Sequence, residues 1–508
     1  MSKKPWPLHP FLFGLFPILF LYSQNMGQVA LGEILIPSGI AMAMVALILA
    51  ALWLLFKRNI NKAGITATIA VILFFSYGHI YNMVGGKQLL GLVVGRHRYL
   101  VLIWILLLLV VIFLIVRTRV DLKNLTRVLN IVAVCLIAVS VVNISIFKIN
   151  AGDTDWNVAS YSPDMLEGAD THAGMDVYYI ILDGYASSTT LKDEYGYDNS
   201  EFIHHLEQKG FYIASESVSN YPSSFLSLAS SLNMEYINYL SDRLGQGSND
   251  RSLPYAMIEQ NKVVEFFKSH GYRYIHFSSG WGPTNYNQYA DENVSVSQSR
   301  WSEFQTLLIQ TTALTVFEKN FFKDIARMRV INNFEQLARV PGMEGSNFVF
   351  AHIVCPHPPY IFNRQGGPVP ETDFDMDIWG QDQKDYYLDQ LIYLNEEVKA
   401  FVDRVTAQSE TPPIIILQAD HGPRNTFIPD QYPSDSMFRE GMRIFNAYYM
   451  PQQENDLLYR SITPVNSFRV VFNTYFGTSF PLLEDRSYNS FEVEPYRFTD
   501  ITDTVTYK

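Results

Sequence analysis

The 508-residue chain contains only two cysteines, Cys135 and Cys355. Cys135 lies inside a long apolar run and Cys355 in a short strand-like segment, so we do not expect the two to meet. A small domain held together by a disulfide framework is therefore excluded. The compartment stays open, because a large hydrophobic core stabilises a domain without disulfides.

Acidic residues are almost absent from the first 150 residues, which contain Glu33 and Asp121 against 13 lysines and arginines. This leaves 25 of the 38 basic and 48 of the 50 acidic residues to the rest of the chain. An acidic domain argues against nucleic acid as a partner, since phosphate backbones are bound by lysine and arginine. A basic, apolar first part followed by an acidic second part indicates a membrane unit joined to a soluble domain.

The first part contains apolar runs at residues 8–25, 34–56, 64–84, 99–116 and 128–147. The second, fourth and fifth runs are long enough to cross about 30 Å of hydrocarbon as helices. The first run is interrupted by Pro17, and no small-residue cleavage site follows it, which disfavours a cleaved signal peptide. With five spans, most of the basic loops fall on the same side of the membrane as the N-terminus. The excess of positive charge on that side predicts a cytoplasmic N-terminus. The residues from about 150 onward are then outside the cytoplasm.

Strand-like and helix-like segments alternate in the second part. Apolar strands are predicted in "DVYYIILDG" (176–184), "NFVFAHIV" (347–354) and "PIIILQADHG" (413–422), with helices between them. This alternation predicts an α/β domain with a mostly parallel central sheet, whose ligands bind beyond the carboxyl ends of the strands.

The sequence therefore predicts three regions. They are a transmembrane domain of about five helices at 1–148, a polar linker at 149–175 and an extracytoplasmic α/β domain at 176–508.

Two predicted strands are followed by residues of types that commonly bind metals. Asp183 follows one strand, and Asp420 with His421 follows another. One carboxylate after an apolar run is often only the first solvated residue of a loop, but two such sites with an adjacent histidine suit a divalent cation. His357 lies between prolines just beyond a third strand, where it is well placed to contact an anionic ligand or a leaving group. His352, inside that strand, is better explained as a buried core histidine.

The segment "YPSSFLSLASSLN" (221–233) contains five serines in thirteen residues. Its apolar residues recur at helical spacing, and Tyr221-Pro222 indicates that the helix begins near Ser223 or Ser224. One of these serines is a helix cap on the simplest interpretation. The alternative is a nucleophile, because a helix N-terminus attracts a phosphate or sulfate group and a metal ion activates a hydroxyl.

The order of these features resembles the alkaline phosphatase/sulfatase superfamily. The chain has, in this order, five apolar runs, a linker, a strand ending in aspartate, a serine at a helix start, "PHPPY" and "ADHG". Within the superfamily the chain is similar to the lipoteichoic acid synthases and phosphoethanolamine transferases, which join five spans to a catalytic domain. The organisation matches over nearly the whole chain, and "ADHG" after an apolar strand is its most specific motif.

The resemblance implies a metal site and a nucleophile. It implies that Asp183, Asp420 and His421 bind one divalent ion (Mn, Mg, Zn or Ca) together with the nucleophile. Asp183 stands where the synthase branch commonly has glutamate. "SFLSL" fits the frame of the transferases' nucleophilic threonine with Ser224 in that position, whereas counting back from the helix end, as in sulfatases, selects Ser223.

The resemblance also implies residues that contact the substrate. His357 corresponds to the histidine that contacts the anionic group, and Trp281 to a substrate-contacting tryptophan of the synthase branch. The sulfatase signature Cys-x-Pro-Ser-Arg is absent from the sequence, which disfavours a conventional sulfatase.

The leading hypothesis is a membrane-anchored, metal-dependent phosphotransferase on the outer face of a bacterial inner membrane. It would transfer a phospho-substituent from a phospholipid donor to an envelope glycan through a covalent serine intermediate. The first alternative is a phosphatase or atypical sulfatase that hydrolyses envelope esters, and the second is a binding or scaffold domain without catalysis. A Ser-His-Asp acyl hydrolase is weaker, since no G-x-S-x-G elbow surrounds these serines.

Overall fold

A computed structural model describes the chain apart from residues 1–4, 27–28, 30, 85–87, 90–91, 94–95, 152–173, 296–301, 370–378, 427–431, 452–456 and 508. Most of the predicted linker at 149–175 therefore lies outside the described residues. Contacts divide the chain into two compact units, Met1–Asp155 with Ser302–Lys319, and Trp156–Trp301 with Asn320–Lys508. The boundaries 1–148, 149–175 and 176–508 stay a prediction.

The described helices are α1 (His9–Gln24), α2 (Leu35–Leu55), α3 (Ile60–Val84), α4 (His97–Arg117), α5 (Lys123–Ala151), α6 (Ser188–Tyr195), α7 (Ser200–Gln208), α8 (Ser224–Asn233), α9 (Leu240–Leu244), α10 (Ser252–Glu259), α11 (Lys262–Ser269), α12 (Gly282–Asn285), α13 (Glu303–Thr311), α14 (Glu318–Leu337), α15 (Lys384–Gln408), α16 (Asp435–Met442), α17 (Pro464–Tyr475) and α18 (Thr502–Val505). The described strands are β1 (Gln88–Leu89), β2 (Leu92–Val93), β3 (Val177–Leu182), β4 (Tyr212–Ile213), β5 (Arg273–Phe277), β6 (Glu292–Val294), β7 (Asn347–Ile353), β8 (Ile414–Gln418), β9 (Asn446–Tyr449), β10 (Tyr488–Phe491) and β11 (Glu494–Asp500).

The first unit is a helical bundle. Among the described residues, four helices are long and apolar enough to cross a membrane, and they correspond to α2, which extends back through a short turn to Leu31, and to α3, α4 and α5. α1 has only 16 residues and contains Pro17, so it is shorter than the roughly 20 residues that a span requires. The structure therefore has four to five apolar N-terminal helices.

A segment from the second half of the sequence belongs to the first unit. α13 packs its apolar side, Phe304 and Leu308, into a core that includes Ile18 and Val45. The backbone of Gln310 comes so close to α3 that a Cβ atom on Gly78 would lie 1.8 Å from its carbonyl oxygen. Glycine is therefore required at that crossing.

The second unit is an α/β domain around a seven-stranded sheet of order β4-β9-β8-β3-β7-β5-β6, within the residues that the structure describes. The β3–β7, β3–β8, β5–β7 and β5–β6 pairs are parallel, while β9 pairs antiparallel with β8 and β4. This confirms the predicted α/β fold with a mostly parallel sheet.

The central strands β3, β7 and β8 are buried on both faces, which explains why they are almost continuous apolar runs. Along β3, Val177, Tyr179 and Ile181 face one core, which also contains residues of α8, α11 and α17. The alternate residues of β3 face a second core, which contains residues of α7 and α15. Side chains alternate between the two faces of a strand, so the central strand β3 packs into both cores. Its carboxyl end is therefore a rigid position for a site.

Candidate active site

Asp183, Asp420, His421 and His357 lie at the carboxyl ends of three neighbouring strands. Asp183 follows β3 at the centre, and Asp420 with His421 follow β8 on one side of it. His357 lies in the loop after β7 on the other side, and its backbone N–H donates to the carbonyl oxygen of Asp183 at 3.0 Å. Parallel pairing therefore brings residues from distant parts of the chain to one edge of the sheet.

Each carboxylate is held by one of its oxygens and leaves the other oxygen without a hydrogen-bond partner among the described residues. Oδ1 of Asp420 accepts hydrogen bonds from the backbone N–H groups of His421 (2.9 Å) and Gly184 (3.2 Å). Oδ2 of Asp183 contacts Nε2 of His352 at 3.1 Å. Oδ1 of Asp183 and Oδ2 of Asp420 are buried and unpaired. A buried charged oxygen without a partner costs free energy, and a cation would satisfy both.

These two oxygens and one hydroxyl surround the same nitrogen of His421. Its Nε2 lies 3.3 Å from Oγ of Ser224, 3.5 Å from Oδ1 of Asp183 and 3.6 Å from Oδ2 of Asp420. A tetrahedral ion with bonds of about 2.1 Å separates its ligand atoms by about 3.4 Å. The three distances from Nε2 and the chemistry of these atoms therefore fit the ligands of a divalent metal ion.

The histidine is oriented for that role. Nδ1 of His421 lies 2.8 Å from the carbonyl oxygen of Gly422, so the neutral ring donates its proton there and leaves a lone pair on Nε2. The next position requires glycine. The backbone N–H of Gly422 donates to the carbonyl oxygen of Gly441 at 2.8 Å, and a Cβ atom on Gly422 would lie 2.1 Å from the carbonyl oxygen of Glu440. The histidine is nearly inaccessible, with 3% of its surface exposed.

Asp183 stays ionised despite its burial. Burial works to raise the pKa of Asp183, but the charge of His357 and the hydrogen bond from His352 outweigh it. The pKa of Asp183 therefore lies below its ordinary value, and the carboxylate is available as a metal ligand at neutral pH.

The serine helix brings Ser224 to this cluster. α8 begins at Ser224, and Ser223 occupies the N-cap position with an extended backbone. The side chain of Ser223 makes no capping hydrogen bond within the described structure. Oγ of Ser224 lies 3.3 Å from Nε2 of His421, so of the two serines it is the one that contacts a candidate metal ligand.

The other three serines of this helix, Ser227, Ser230 and Ser231, are buried. These three serines therefore do not form a solvated helix face. Ser231, for example, contacts the hydroxyl of Tyr179 at 3.1 Å beneath the sheet.

His357 forms one wall of the site. Its Nδ1 lies 2.7 Å from the carbonyl oxygen of Pro358, so Nδ1 carries a proton and donates it there. The indole of Trp379 meets the ring edge to face at 4.8 Å between centroids, and the ring of His421 lies 5.9 Å away. Asp183, His357 and His421 also form a metal-compatible group, with ligand atoms within 4.8 Å of one another.

Trp281 contacts His352, which lies behind the candidate metal ligand Asp183. Its ring packs edge to face against His352 at 5.4 Å between centroids and against Tyr255 at 5.8 Å. It is partly buried against the core beside α8, so its contact with the site passes through His352.

Three contacts of this region were not predicted from the sequence. His352 is buried as expected, but its partner is Asp183, and the pairing of His352 with Ile181 places it two residues short of that carboxylate. The guanidinium of Arg424 contacts the carbonyl oxygen of Pro222, immediately before the serine pair. Trp379 comes from a distant loop. Only Arg424 had a usable signal, because a cation three residues after "DH" stays near the same strand end.

The fold and site define a membrane-associated α/β protein with a metal-compatible group beside a serine at a helix N-terminus. A family model described as Sulfatase matches residues 176–459, more than half of the chain, and the chain therefore belongs to the Sulfatase family. No curated protein matches the chain.

Several solved structures are similar to the chain at low sequence identity. The C-terminal periplasmic domain of EptC from Escherichia coli is 11% identical with a TM-score of 0.43, and the match covers 67% of this chain and 96% of that one. The lipooligosaccharide phosphoethanolamine transferase A from Neisseria meningitidis is 12% identical with a TM-score of 0.35, over 89% of this chain and 90% of that one. A putative sulfatase from Bacteroides thetaiotaomicron is 12% identical with a TM-score of 0.37, over 61% and 72%.

Proposed function

We propose that the protein is a metal-dependent phosphotransferase that moves a phospho-substituent from a membrane phospholipid to an acceptor of the bacterial cell envelope. The observation that carries the proposal is the convergence of Ser224 with two unpaired buried carboxylate oxygens on Nε2 of His421. A hydroxyl within a metal-ligand set is an activated nucleophile. Membership of the family supports the fold on which the proposal depends, and the geometry of the site supports the proposed chemistry.

Asp183, Asp420, His421 and Ser224 would hold the ion. A divalent ion bound there would lower the pKa of the serine hydroxyl and offset negative charge on the phosphoryl oxygens. Ligands of mixed oxygen and nitrogen type suit Zn²⁺ or Mn²⁺ and do not select between them.

The reaction needs two displacements at phosphorus. In the first, the hydroxyl proton of Ser224 leaves to water, Oγ forms a bond to phosphorus, and the bond from phosphorus to the lipid alcohol breaks. That alcohol oxygen takes a proton from His357 in its protonated form. In the second, the acceptor hydroxyl gives its proton to His357 and bonds to phosphorus, and Ser224 leaves and regains a proton from water. Serine and histidine return to their starting states.

The surroundings favour an anionic substrate. The N-terminus of α8 carries partial positive charge, and the side chain of Arg424 lies beside the carbonyl oxygen of Pro222 at the same helix start. The apolar helices explain why a catalytic domain remains attached to the membrane in which its donor lies. The basic loops between those helices support an orientation with the domain outside the cytoplasm.

Assays of the full-length protein in detergent test this proposal. Phospholipids with labelled head groups are supplied, and release of diacylglycerol and transfer of label are measured. We expect Ser224→Ala to lower turnover by about 10⁴-fold or more, as loss of a nucleophile does. Ser227→Ala, one turn further along the same helix and buried, is the matched control and should retain activity.

Two outcomes would overturn the assignment. Activity that survives Ser224→Ala but is lost in Ser223→Ala would move the nucleophile by one residue. Turnover of phosphomonoesters or sulfate esters with no turnover of phosphodiesters would make the protein a hydrolase instead of a transferase.

A further inference from the structure

A line of buried hydrogen bonds extends from Asp183 away from the metal-ligating atoms. Oδ2 of Asp183 contacts Nε2 of His352 at 3.1 Å, and Nδ1 of the same ring contacts Oγ1 of Thr284 at 2.9 Å. Oγ1 of Thr284 lies 2.7 Å from Oγ of Ser279, which accepts a hydrogen bond from the backbone N–H of Trp281 at 2.9 Å. His352 and Thr284 are fully buried, so water does not compete for these bonds.

The bonds can be satisfied in one consistent direction. An ionised carboxylate only accepts hydrogen bonds, so the neutral ring of His352 carries its proton on Nε2 and has a lone pair on Nδ1. The hydroxyl of Thr284 then donates to that lone pair and accepts from the hydroxyl of Ser279. The backbone N–H of Trp281 closes the chain. The carboxylate thereby fixes one tautomer of His352, and a loop more than 60 residues earlier in the sequence supplies the hydroxyl donor that this tautomer accepts.

That loop is itself held rigidly. The amide of Thr284 donates to the carbonyl oxygen of Trp281 at 3.0 Å, and its own carbonyl oxygen lies 2.9 Å from Nε2 of buried His276. From α14, Asn333 donates to the carbonyl oxygen of Ser278 at 3.1 Å. Because both ends are anchored, the position of the Thr284 hydroxyl is set by the fold and not by the metal.

We propose that His352 is a positioning residue. Thr284 and Ser279 orient its ring, and the ring holds Asp183 so that the free oxygen of Asp183 faces the metal. The geometry of the metal site then depends on the loop that carries Trp281. The inference rests on the proposed function in taking Asp183 to be a metal ligand. Partners behind a ligand fix its orientation, and their loss commonly weakens metal binding by about 10–100-fold. The structure thus connects the loop beside α8 with the geometry of the metal site.

Two amide substitutions of His352 separate positioning from simple packing. The side-chain nitrogen of glutamine can occupy the place of Nε2 and donate to Asp183, whereas the shorter asparagine reaches only the place of Nδ1. Full-length protein in detergent is stripped of metal with a chelator and titrated with Zn²⁺ or Mn²⁺ by calorimetry. We expect His352→Gln to bind metal within about threefold of the wild type and His352→Asn to bind about 10–100-fold more weakly.

Thr284 provides the second arm of the test. Thr284→Ser keeps the hydroxyl and should bind metal like the wild type, while Thr284→Val leaves Nδ1 of His352 without its donor and should weaken binding several-fold. Thermal unfolding of each metal-free variant shows whether the fold itself has suffered. Equal affinity in the two His352 variants, or losses of affinity that follow metal-free stability alone, would overturn the inference.

These titrations are independent of turnover. If Ser224→Ala retains activity, the proposed function fails, but the contrast between the two His352 variants still decides whether this chain of hydrogen bonds positions the metal ligand. If the wild-type protein binds neither Zn²⁺ nor Mn²⁺, both proposals fail together.

Discussion

Replacing Asp420 by asparagine removes one proposed metal ligand and leaves the surrounding hydrogen bonds in place. Oδ1 of Asp420 accepts from two backbone N–H groups, and the amide oxygen of asparagine can accept both. The amide nitrogen would then replace Oδ2, the oxygen that has no partner within the described structure. We therefore expect the stability of the metal-free protein to change by less than about 1 kcal/mol.

The metal-dependent stability should change much more. A ligand at 1,000 times its dissociation constant stabilises the native state by about 4.1 kcal/mol, and a hundredfold weaker site retains about 1.4 kcal/mol. Unfolding a domain of roughly 300 residues has an entropy of about 0.6 kcal/mol per kelvin, so the metal should raise the Tm by about 6 °C in the wild type and about 2 °C in Asp420→Asn.

Thermal unfolding with and without added Zn²⁺ or Mn²⁺ measures this difference. Asp389→Asn is the control, because Asp389 forms an ion pair with Arg364 on the surface at 2.7 Å and lies far along the sequence from the candidate ligands. It should keep the full shift. A wild-type shift in Asp420→Asn would refute the assignment of this carboxylate to the metal.

Three further predictions concern the surroundings of the site. Gly280 has a φ of +87°, and a Cβ atom there would lie 1.6 Å from Nη1 of Arg329, so Gly280→Ala should lower the Tm by several degrees in a thermal scan. Burial lowers the pKa of His276 to about 4, so the native state binds fewer protons than the unfolded state below pH 6.5. Stability should therefore fall between pH 6.5 and 4 by up to about 3 kcal/mol from this group, and less steeply in His276→Gln, as denaturant titrations at each pH would show. Arg424→Met should raise the KM for an anionic donor more than Arg424→Lys does, and equal KM values in steady-state assays would remove Arg424 from substrate binding.

The order of strands and helices could be predicted because each element carries a local signal. The run "VYYIIL" is apolar at every position, which indicates a strand buried on both faces, and the structure has β3 at 177–182 in the centre of the sheet. Asp183 could be chosen because it is the first charged residue after such a strand, and carboxyl ends of parallel strands meet at one edge.

The partner of His352 could not be predicted, because it depends on the register in which β7 pairs with β3. One histidine inside an apolar strand has the same local pattern whether it faces the core or a carboxylate. Only the parallel pairing of β7 with β3, which aligns His352 with Ile181, brings it to Asp183. The inclusion of α13 in the membrane unit had no local signal either, since it depends on the close approach of Gln310 to Gly78.

Trapping the covalent intermediate tests the proposed chemistry at the level of a single atom. Wild-type protein is mixed with a phospholipid donor in the absence of acceptor, quenched in acid and digested, and the peptides containing "YPSSFLSLASSLN" are fragmented in a mass spectrometer. A phospho-substituent bound to Oγ of Ser224, absent from chelator-treated protein and from Asp420→Asn, is the predicted result. An adduct on Ser223, or steady turnover with no adduct on either serine, would contradict it.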